Sequence, residues 1–152
     1  MNQLLIGTYE CKLDAKGRFL LSSGLRQQLG DSFKQGFVLK KGLFDEYLDL
    51  YPMNVWRAET EKILEKTKLL RKNADYLRRF VASAKIVEVD SHGRIQIPKD
   101  LFNFAHFEKN IVITSVLNKI EIWDKQKYQK AIEYDQDDFS DLTEELFGGS
   151  EN

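Results

Sequence analysis

The stretch Asp14-Ala15-Lys16-Gly17-Arg18-Phe19-Leu20 is written a second time, 76 positions later, as Asp90-Ser91-His92-Gly93-Arg94-Ile95-Gln96. The match continues in both directions. Upstream, Glu10-Cys11-Lys12-Leu13 faces Ile86-Val87-Glu88-Val89, and downstream Leu21-Ser22-Ser23-Gly24-Leu25 faces Ile97-Pro98-Lys99-Asp100-Leu101. Further along the offset shrinks to 74, where Phe37-Val38-Leu39 meets Ile111-Val112-Ile113, and then to 72, where Leu48-Asp49-Leu50-Tyr51 meets Ile120-Glu121-Ile122-Trp123. Short deletions between matched elements are what surface loops tolerate. The chain therefore consists of a duplicated unit of about 50 residues and a segment that joins the copies.

Each copy reads as strand, turn, strand, short helix, strand, strand. Ile95-Gln96-Ile97 alternates apolar and polar residues as a half-buried strand does, and Ile120-Glu121-Ile122-Trp123 nearly repeats the pattern. Gly17 and Gly93 supply the positive φ of a tight connection, and the carboxylates of Asp14 and Asp90 can accept hydrogen bonds from the turn backbone. Pro98 suits the first turn of a helix that carries Leu101, Phe104 and Ala105 on one face. In the first copy Ser22 or Ser23 is the cap of the equivalent helix, Leu25 and Leu29 face inward, and Gly30 ends it. A unit this small has little core of its own, so the copies are expected to pack on each other.

Between the copies, Asn54 to about Ala84 reads as helix. Trp56, Ile63, Leu70, Leu77 and Ala84 recur every seven residues, with Thr60, Thr67, Ala74 and Val81 on companion positions. The companions are too small and polar for a strong zipper, which favours a helix pair packed on its own domain over a long coiled coil. The weak helix formers Asn73 and Asp75 predict the break between the two helices near themselves. Lys66, Lys68, Arg71, Lys72, Arg78 and Arg79 lie mostly off the stripe, as a solvated face would. After the second copy, Phe139, Leu142, Leu146 and Phe147 are spaced for one face of a short amphipathic helix able to dock on the body or on a neighbouring chain, and 148–152 is expected to be disordered.

At 152 residues, 42% apolar and 31% charged, the chain suits one large domain or two small ones and is too polar to enter a bilayer. Met1 to Tyr9 carries no charge but falls far short of the roughly 20 apolar residues of a spanning helix. Cys11, the single cysteine, can form no intramolecular disulfide and no zinc site by itself, which fits a reducing cytoplasm. The net charge of −1 hides a segregation: residues 131–152 hold eight acids and no Lys or Arg, whereas residues 1–130 hold the other 16 acids against all 23 basic residues. A body of +7 leaves room for an anionic partner, and a tail of −8 is at the least a solubilising appendage.

Enzyme chemistry finds little support. His92 and His106 have no Cys or second His near them, and there is no phosphate loop, dinucleotide glycine pattern or nucleophile elbow. Asp14 and Asp90 each have an Arg four residues on; a carboxylate beside Arg stays ionised and makes a poor general acid. Cys11 on an alternating strand is accounted for as a small apolar residue rather than a nucleophile. One copy of Asp-x-x-Gly-Arg is explained by the turn alone. Two copies in one register shift the balance, because an Arg at a rigid strand end is placed for bidentate contact with phosphate or with guanine, and Lys16 adds a point charge.

These residues resemble a known family. Asp14-Ala15-Lys16-Gly17-Arg18 before an apolar strand, Asp90-Ser91-His92-Gly93-Arg94-Ile95-Gln96-Ile97-Pro98, the closing Glu121-Ile122-Trp123-Asp124, Tyr51 with Trp56, and Arg79-Phe80 with Ser83-Ala84 are similar to MraZ, bacterial transcriptional regulators with two tandem SpoVT-AbrB-type repeats. The resemblance spans residues 4–130. It implies an α+β, β-rich fold: a swapped-hairpin AbrB-like β-barrel formed by the two repeats, with helices between and after them. The organisation it implies is repeat 1 over 5–52, a helical connector over 53–80, repeat 2 over 81–125 and a helical, acidic tail over 126–152.

It further implies a cytoplasmic, nucleoid-associated homo-oligomer, a ring, that binds double-stranded DNA at tandem promoter repeats. Such a ring represses the division and cell-wall operon that begins with its own gene, without cofactor, metal, membrane or small-molecule substrate. The family's Asp-x-x-x-Arg motif falls on Asp14 with Arg18 and on Asp90 with Arg94, and Lys16, Gly17 and Gly93 complete the expected DNA-binding set. Two positions depart from the family pattern: its Pro after the second strand is Ser22 in the first copy, and its Arg early in the helix is Arg26 in the first copy but Phe102 in the second. The rival reading is a structural or protein-interaction barrel whose turns only hold it together, with no direct DNA contact.

Overall fold

The computed structural model describes residues 4–67 and 70–148. In chain order it contains β1 (Thr8–Lys12), β2 (Arg18–Leu20), α1 (Ser23–Leu29), β3 (Phe37–Lys41), β4 (Leu48–Pro52), α2 (Met53–Thr67) and α3 (Arg71–Val81). There follow β5 (Lys85–Val87), β6 (Arg94–Gln96), α4 (Lys99–Phe104), β7 (Asn110–Val116), β8 (Lys119–Asp124), α5 (Lys125–Ile132) and α6 (Gln136–Thr143). Each copy thus builds strand, turn, strand, helix, strand, strand.

Both repeat helices start from the same backbone. Ser22 holds φ −55° and ψ 145°, and Pro98 holds φ −57° and ψ 146°. The proline ring enforces this geometry on its own. Ser22 reaches it with its Oγ accepting a hydrogen bond from the Leu25 N–H at 3.4 Å, so its departure from the family pattern leaves the helix start unchanged. Gly30, at φ 56°, ends α1.

Only β3–β4 and β7–β8 pair within their own copy; every other strand pairing crosses the repeats. One antiparallel sheet has the order β1-β7-β8-β4-β3-β5, and β2 pairs with β6 in a separate ribbon. The first strand of each copy therefore lies beside the third strand of the other: Tyr9 faces Ile113, and Val38 faces Ile86. An internal twofold relates the halves. It passes where Phe19 faces Ile95 and where Asp49 faces Glu121, pairs that are each other's counterparts in the repeat. These ladders show no closed barrel among the described residues. Among the described residues the large sheet is open at β1 and β5, and the ribbon of two three-residue strands is a second sheet, with Ile95 of β6 also bridged to Val89.

Both sheets and both repeat helices share one core, in which Phe19, Leu25, Leu39, Leu50, Ile95, Leu101, Ile113 and Ile122 are fully buried. Neither copy could assemble it alone. On the other face of the large sheet the connector helices cover Val38 and Tyr51. Trp56 of α2 stacks on Phe80 of α3 with ring centroids 5.5 Å apart, and Tyr51 meets Trp56 edge-on at 5.2 Å. The same face buries a charge cluster: Lys119 Nζ donates to Asp49 Oδ1 at 2.5 Å, and Lys40 Nζ donates to the Lys41 carbonyl at 2.7 Å while lying 4.8 Å from the Phe80 ring centroid. Burial pushes the Asp49 carboxyl up, and Lys119 pulls it back.

The connector divides into two helices near the weak formers, as they predict. The first helix ends at Thr67, and Asn73 and Asp75 sit inside the first turn and a half of α3, where weak formers are tolerated. Asn73 enforces the break, its side-chain amide donating to the Thr67 carbonyl at 3.1 Å. Leu70 consequently precedes α3 and is exposed instead of continuing the stripe. The acidic tail forms α6 and a further π-helical turn over Glu144–Gly148, with Phe139, Leu146 and Phe147 exposed. Of the segment expected to be disordered, 149–152 lies outside the described residues. No helix among the described residues is long and apolar enough to cross a membrane.

Candidate nucleic-acid interface

The two repeated turns fold identically, and their aspartates do the organising. Asp14 Oδ1 accepts from the backbone N–H groups of Lys16 and Arg18, both at 2.9 Å, and Asp90 Oδ1 does the same for His92 at 2.8 Å and Arg94 at 2.9 Å. A backbone pair closes each hairpin: Asp14 N–H to the Arg18 carbonyl and Asp90 N–H to the Arg94 carbonyl, both at 2.9 Å. Gly17 at φ 76° and Gly93 at φ 81° occupy the left-handed position that β-carbons resist.

The second carboxylate oxygen holds the arginine. Arg18 Nε donates to Asp14 Oδ2 at 2.7 Å, and Arg94 Nε donates to Asp90 Oδ2 at 3.0 Å. The Arg18 backbone N–H, then the Arg18 side chain, keeps the Asp14 carboxyl below the ordinary aspartate value; the Arg94 and His92 backbone groups and the Arg94 side chain do so for Asp90. Both carboxylates are thus ionised at neutral pH, as the Arg spacing implied. Each guanidinium is anchored through one nitrogen, which leaves the terminal Nη atoms for another acceptor; Arg94 Nη2 also lies 3.4 Å from His92 Nδ1.

Strand parity gathers the arginines. In the β2–β6 ribbon Arg18 faces Gln96, Phe19 faces Ile95, and Leu20 faces Arg94. Phe19 and Ile95 point into the core, so Arg18, Leu20, Arg94 and Gln96 share the opposite, outward face. Diagonal neighbours in such a ribbon have Cα atoms about 7–8 Å apart, so the two arginines start from one face of it although they come from different repeats and are held by different turns. Lys16 and His92 are exposed on the two flanking turns, and Gln96 Nε2 donates to the Lys16 carbonyl at 3.3 Å.

Every residue expected at the site therefore lies on one ribbon and its two turns. Leu20 and Gln96 join them, although the sequence reading left both out. The signal was present, since alternation after Arg18 and before Gln96 puts them on the arginine face. Cys11 is partly buried with its thiol pushed up by desolvation and its Sγ 3.6 Å from the Leu20 carbonyl, no arrangement for a nucleophile. Among the described residues no cluster of three His, Cys, Asp or Glu side chains could hold a metal ion.

The family model for MraZ protein matches the chain twice, over residues 4–79 and 80–149. The chain belongs to the MraZ family. The transcriptional regulator MraZ of Christiangramia forsetii is 48% identical over 147 residues, covering 97% of this chain and 95% of that protein. The transcriptional regulator MraZ of Flavobacterium psychrophilum is 48% identical over 144 residues, with 95% and 92% covered. The Clostridium tetani transcriptional regulator MraZ retains 38% identity over 138 residues, 88% of this chain and 93% of that one. Each of the two MraZ matches contains one Asp-x-x-x-Arg turn, Asp14 to Arg18 and Asp90 to Arg94.

Proposed function

We propose that the protein is a sequence-specific, DNA-binding transcriptional regulator, a repressor of the division and cell-wall operon that includes its own gene. It works in the cytoplasm on the nucleoid as a ring of identical subunits on tandem DNA repeats. The observation that carries the reading is the outward face of the β2–β6 ribbon, which presents two Asp-anchored arginines from different repeats. A two-stranded ribbon fits the major groove of B-DNA, and Arg and Gln are the side chains that pair bidentately with guanine and adenine there. Family membership supports it, since the relatives carry the name transcriptional regulator.

In this reading Arg18, Arg94 and Gln96 meet base edges, Leu20 meets a thymine methyl, and Lys16 meets phosphate. Asp14, Asp90, Gly17 and Gly93 hold the turns. The functional division follows the repeats, 5–52 and 81–125, with 53–80 as connector and 126–152 as tail. One ribbon offers few contacts. A ring that repeats it at the spacing of the DNA boxes gains affinity through effective concentration.

A gel shift of the full chain against a duplex covering the DNA upstream of its own coding sequence tests the reading, with a shuffled duplex as competitor. The upstream duplex should stay bound under an excess of the shuffled one and be released progressively by salt, because phosphate contacts release counterions. Equal competition by both duplexes removes the claim of sequence specificity. No shift at any salt concentration favours the other reading, in which the Asp–Arg pairs only brace the turns.

A further inference from the structure

The acidic tail carries apolar side chains that the body does not use. Phe139 and Leu146 are 58% and 64% exposed, and both lie outside the two buried clusters. The tail is jointed to α5 rather than continuous with it. Glu133 and Asp135 have extended backbone, with ψ of 124° and 141°, and the stretch 133–135 belongs to neither helix.

A groove runs from α5 to the first turn. It starts between Glu108 and the α5 residues Gln126 and Gln129, continues past Leu13, Phe107 and Lys109, and widens beyond Phe102 into a hollow of about 680 Å³. Adjoining stretches share lining residues, Glu108 at the first junction and Ala15 with Phe102 at the second. The hollow is walled by Ile86, Val87, Ile97, Pro98 and Phe102, and Ile86 is 70% exposed on β5, an open edge of the large sheet. Lys16, Lys99 and Lys109 stand along the groove against Glu88 and Glu108. Its other acids are engaged, Asp14 with Arg18 and Asp124 with the Gln126 and Glu108 N–H groups. The groove takes in Lys16 and Gly17 of the first turn and no residue of the second.

The tail can reach it. The Glu108 N–H donates to Asp124 Oδ1 at 3.2 Å and the Leu13 N–H to the Lys109 carbonyl at 2.9 Å, so two hydrogen bonds and two peptide units join the start of α5 to Asp14. Folded back about 133–135, residues 136–148 span about 20 Å as helix against about 12 Å for α5, and pass its start toward the first turn. An acidic helix with apolar side chains, laid in an apolar groove edged by lysines, is a helix-in-groove contact. The −8 of residues 131–152 against the +7 of the body favours it further.

We propose that the acidic tail is an autoinhibitory strap. It swings about 133–135 into this groove of its own subunit, seats Phe139 and Leu146 on the apolar walls and covers Lys16, so that DNA must displace it to reach the first turn. The structure shows the strap open. Competition with DNA rests on the reading of the turns as DNA contacts; docking of the tail does not.

The test compares three proteins: the full chain, the chain ending at Tyr134, and Phe139→Ser with Leu146→Ser, which keeps every charge. Each is followed by hydrogen-exchange mass spectrometry without DNA, by fluorescence anisotropy with the upstream duplex, and by a thermal melt. Segments 13–18 and 85–88 should exchange faster in both variants than in the full chain. Both variants should bind the duplex about fivefold more tightly, the lower end of usual coupling between sites, with the melting temperature unchanged. Exchange unaltered by truncation overturns the proposal. So does a gain in affinity on truncation that the double substitution does not reproduce, since the tail would then act through its charge alone. Faster exchange with no gain in affinity overturns the inhibition. Protection restored to the truncated chain by added full-length protein would put the tail on a neighbouring subunit and overturn the strap. Failure of the full chain and both variants to bind the duplex is a different result: it sinks the reading of the turns, while exchange still decides whether the tail docks.

Discussion

At the residue scale the site depends on how one carboxylate is divided. In each turn Oδ1 of the aspartate organises backbone and Oδ2 aims an arginine. Changing Asp14 and Asp90 together to Asn keeps an oxygen for the turn amides and removes the charge that fixes the guanidinium. DNA affinity should fall by about tenfold, the cost of ordering freed side chains on binding, with little change in melting temperature; unchanged affinity would mean the arginines need no anchor. The pH dependence has a definite sign. Both carboxyls are held below their unfolded value, so the stabilisation is present at neutral pH and is lost only as pH falls through the lowered folded values. Carbon-detected NMR titration should show both groups titrating below the ordinary aspartate value. Gly17→Ala tests the backbone directly: φ 76° is strained for any β-carbon and should cost about 1–2 kcal/mol in chemical denaturation.

At the scale of elements, local pattern and long-range pairing were not equally legible. Strand, turn, strand, helix, strand, strand could be read in both copies because alternation, turn glycines and caps act over a few residues. That Thr8–Lys12 would lie beside Asn110–Val116 of the other copy could not be read from either stretch, since nothing within a strand names a partner about a hundred residues away. The site shows the same division. Asp14, Arg18, Asp90 and Arg94 were visible as a repeated motif, but their gathering on one face needs the β2–β6 pairing. The division of the connector was legible near Asn73, but the way Asn73 acts was not. Asn73 looked like a helix breaker by propensity, whereas it ends the preceding helix by bonding the Thr67 carbonyl from within the next one. Trp56 and Phe80 fasten that helix pair to the sheet, and Phe80→Ala should cost about 3–5 kcal/mol, seen as a lower denaturation midpoint.

At the scale of the whole molecule, duplication makes the single chain a dimer of half-domains. Each repeat completes the other's sheet, and the ribbon on the twofold takes one arginine from each. Separated halves should therefore not fold, and a chain cut within 68–69 should remain associated. Charge is arranged at the same scale, with +7 over residues 1–130 and −8 over residues 131–152. A long-range field of this kind acts on nonspecific encounter with DNA and is weakened by salt. Truncation after Tyr134 should raise affinity for shuffled DNA most at low salt and leave the melting temperature unchanged; equal affinity would make the tail electrostatically irrelevant. The central claim is that the ribbon arginines make the DNA contact and the fold does not need them. The measurement that meets it most directly is upstream-duplex affinity of Arg18→Ala with Arg94→Ala, read together with melting temperature and light-scattering mass. The account predicts that binding is abolished while the melting temperature and the assembled mass stay those of the wild type. Wild-type affinity, or binding lost only together with a collapsed melting temperature, would contradict it.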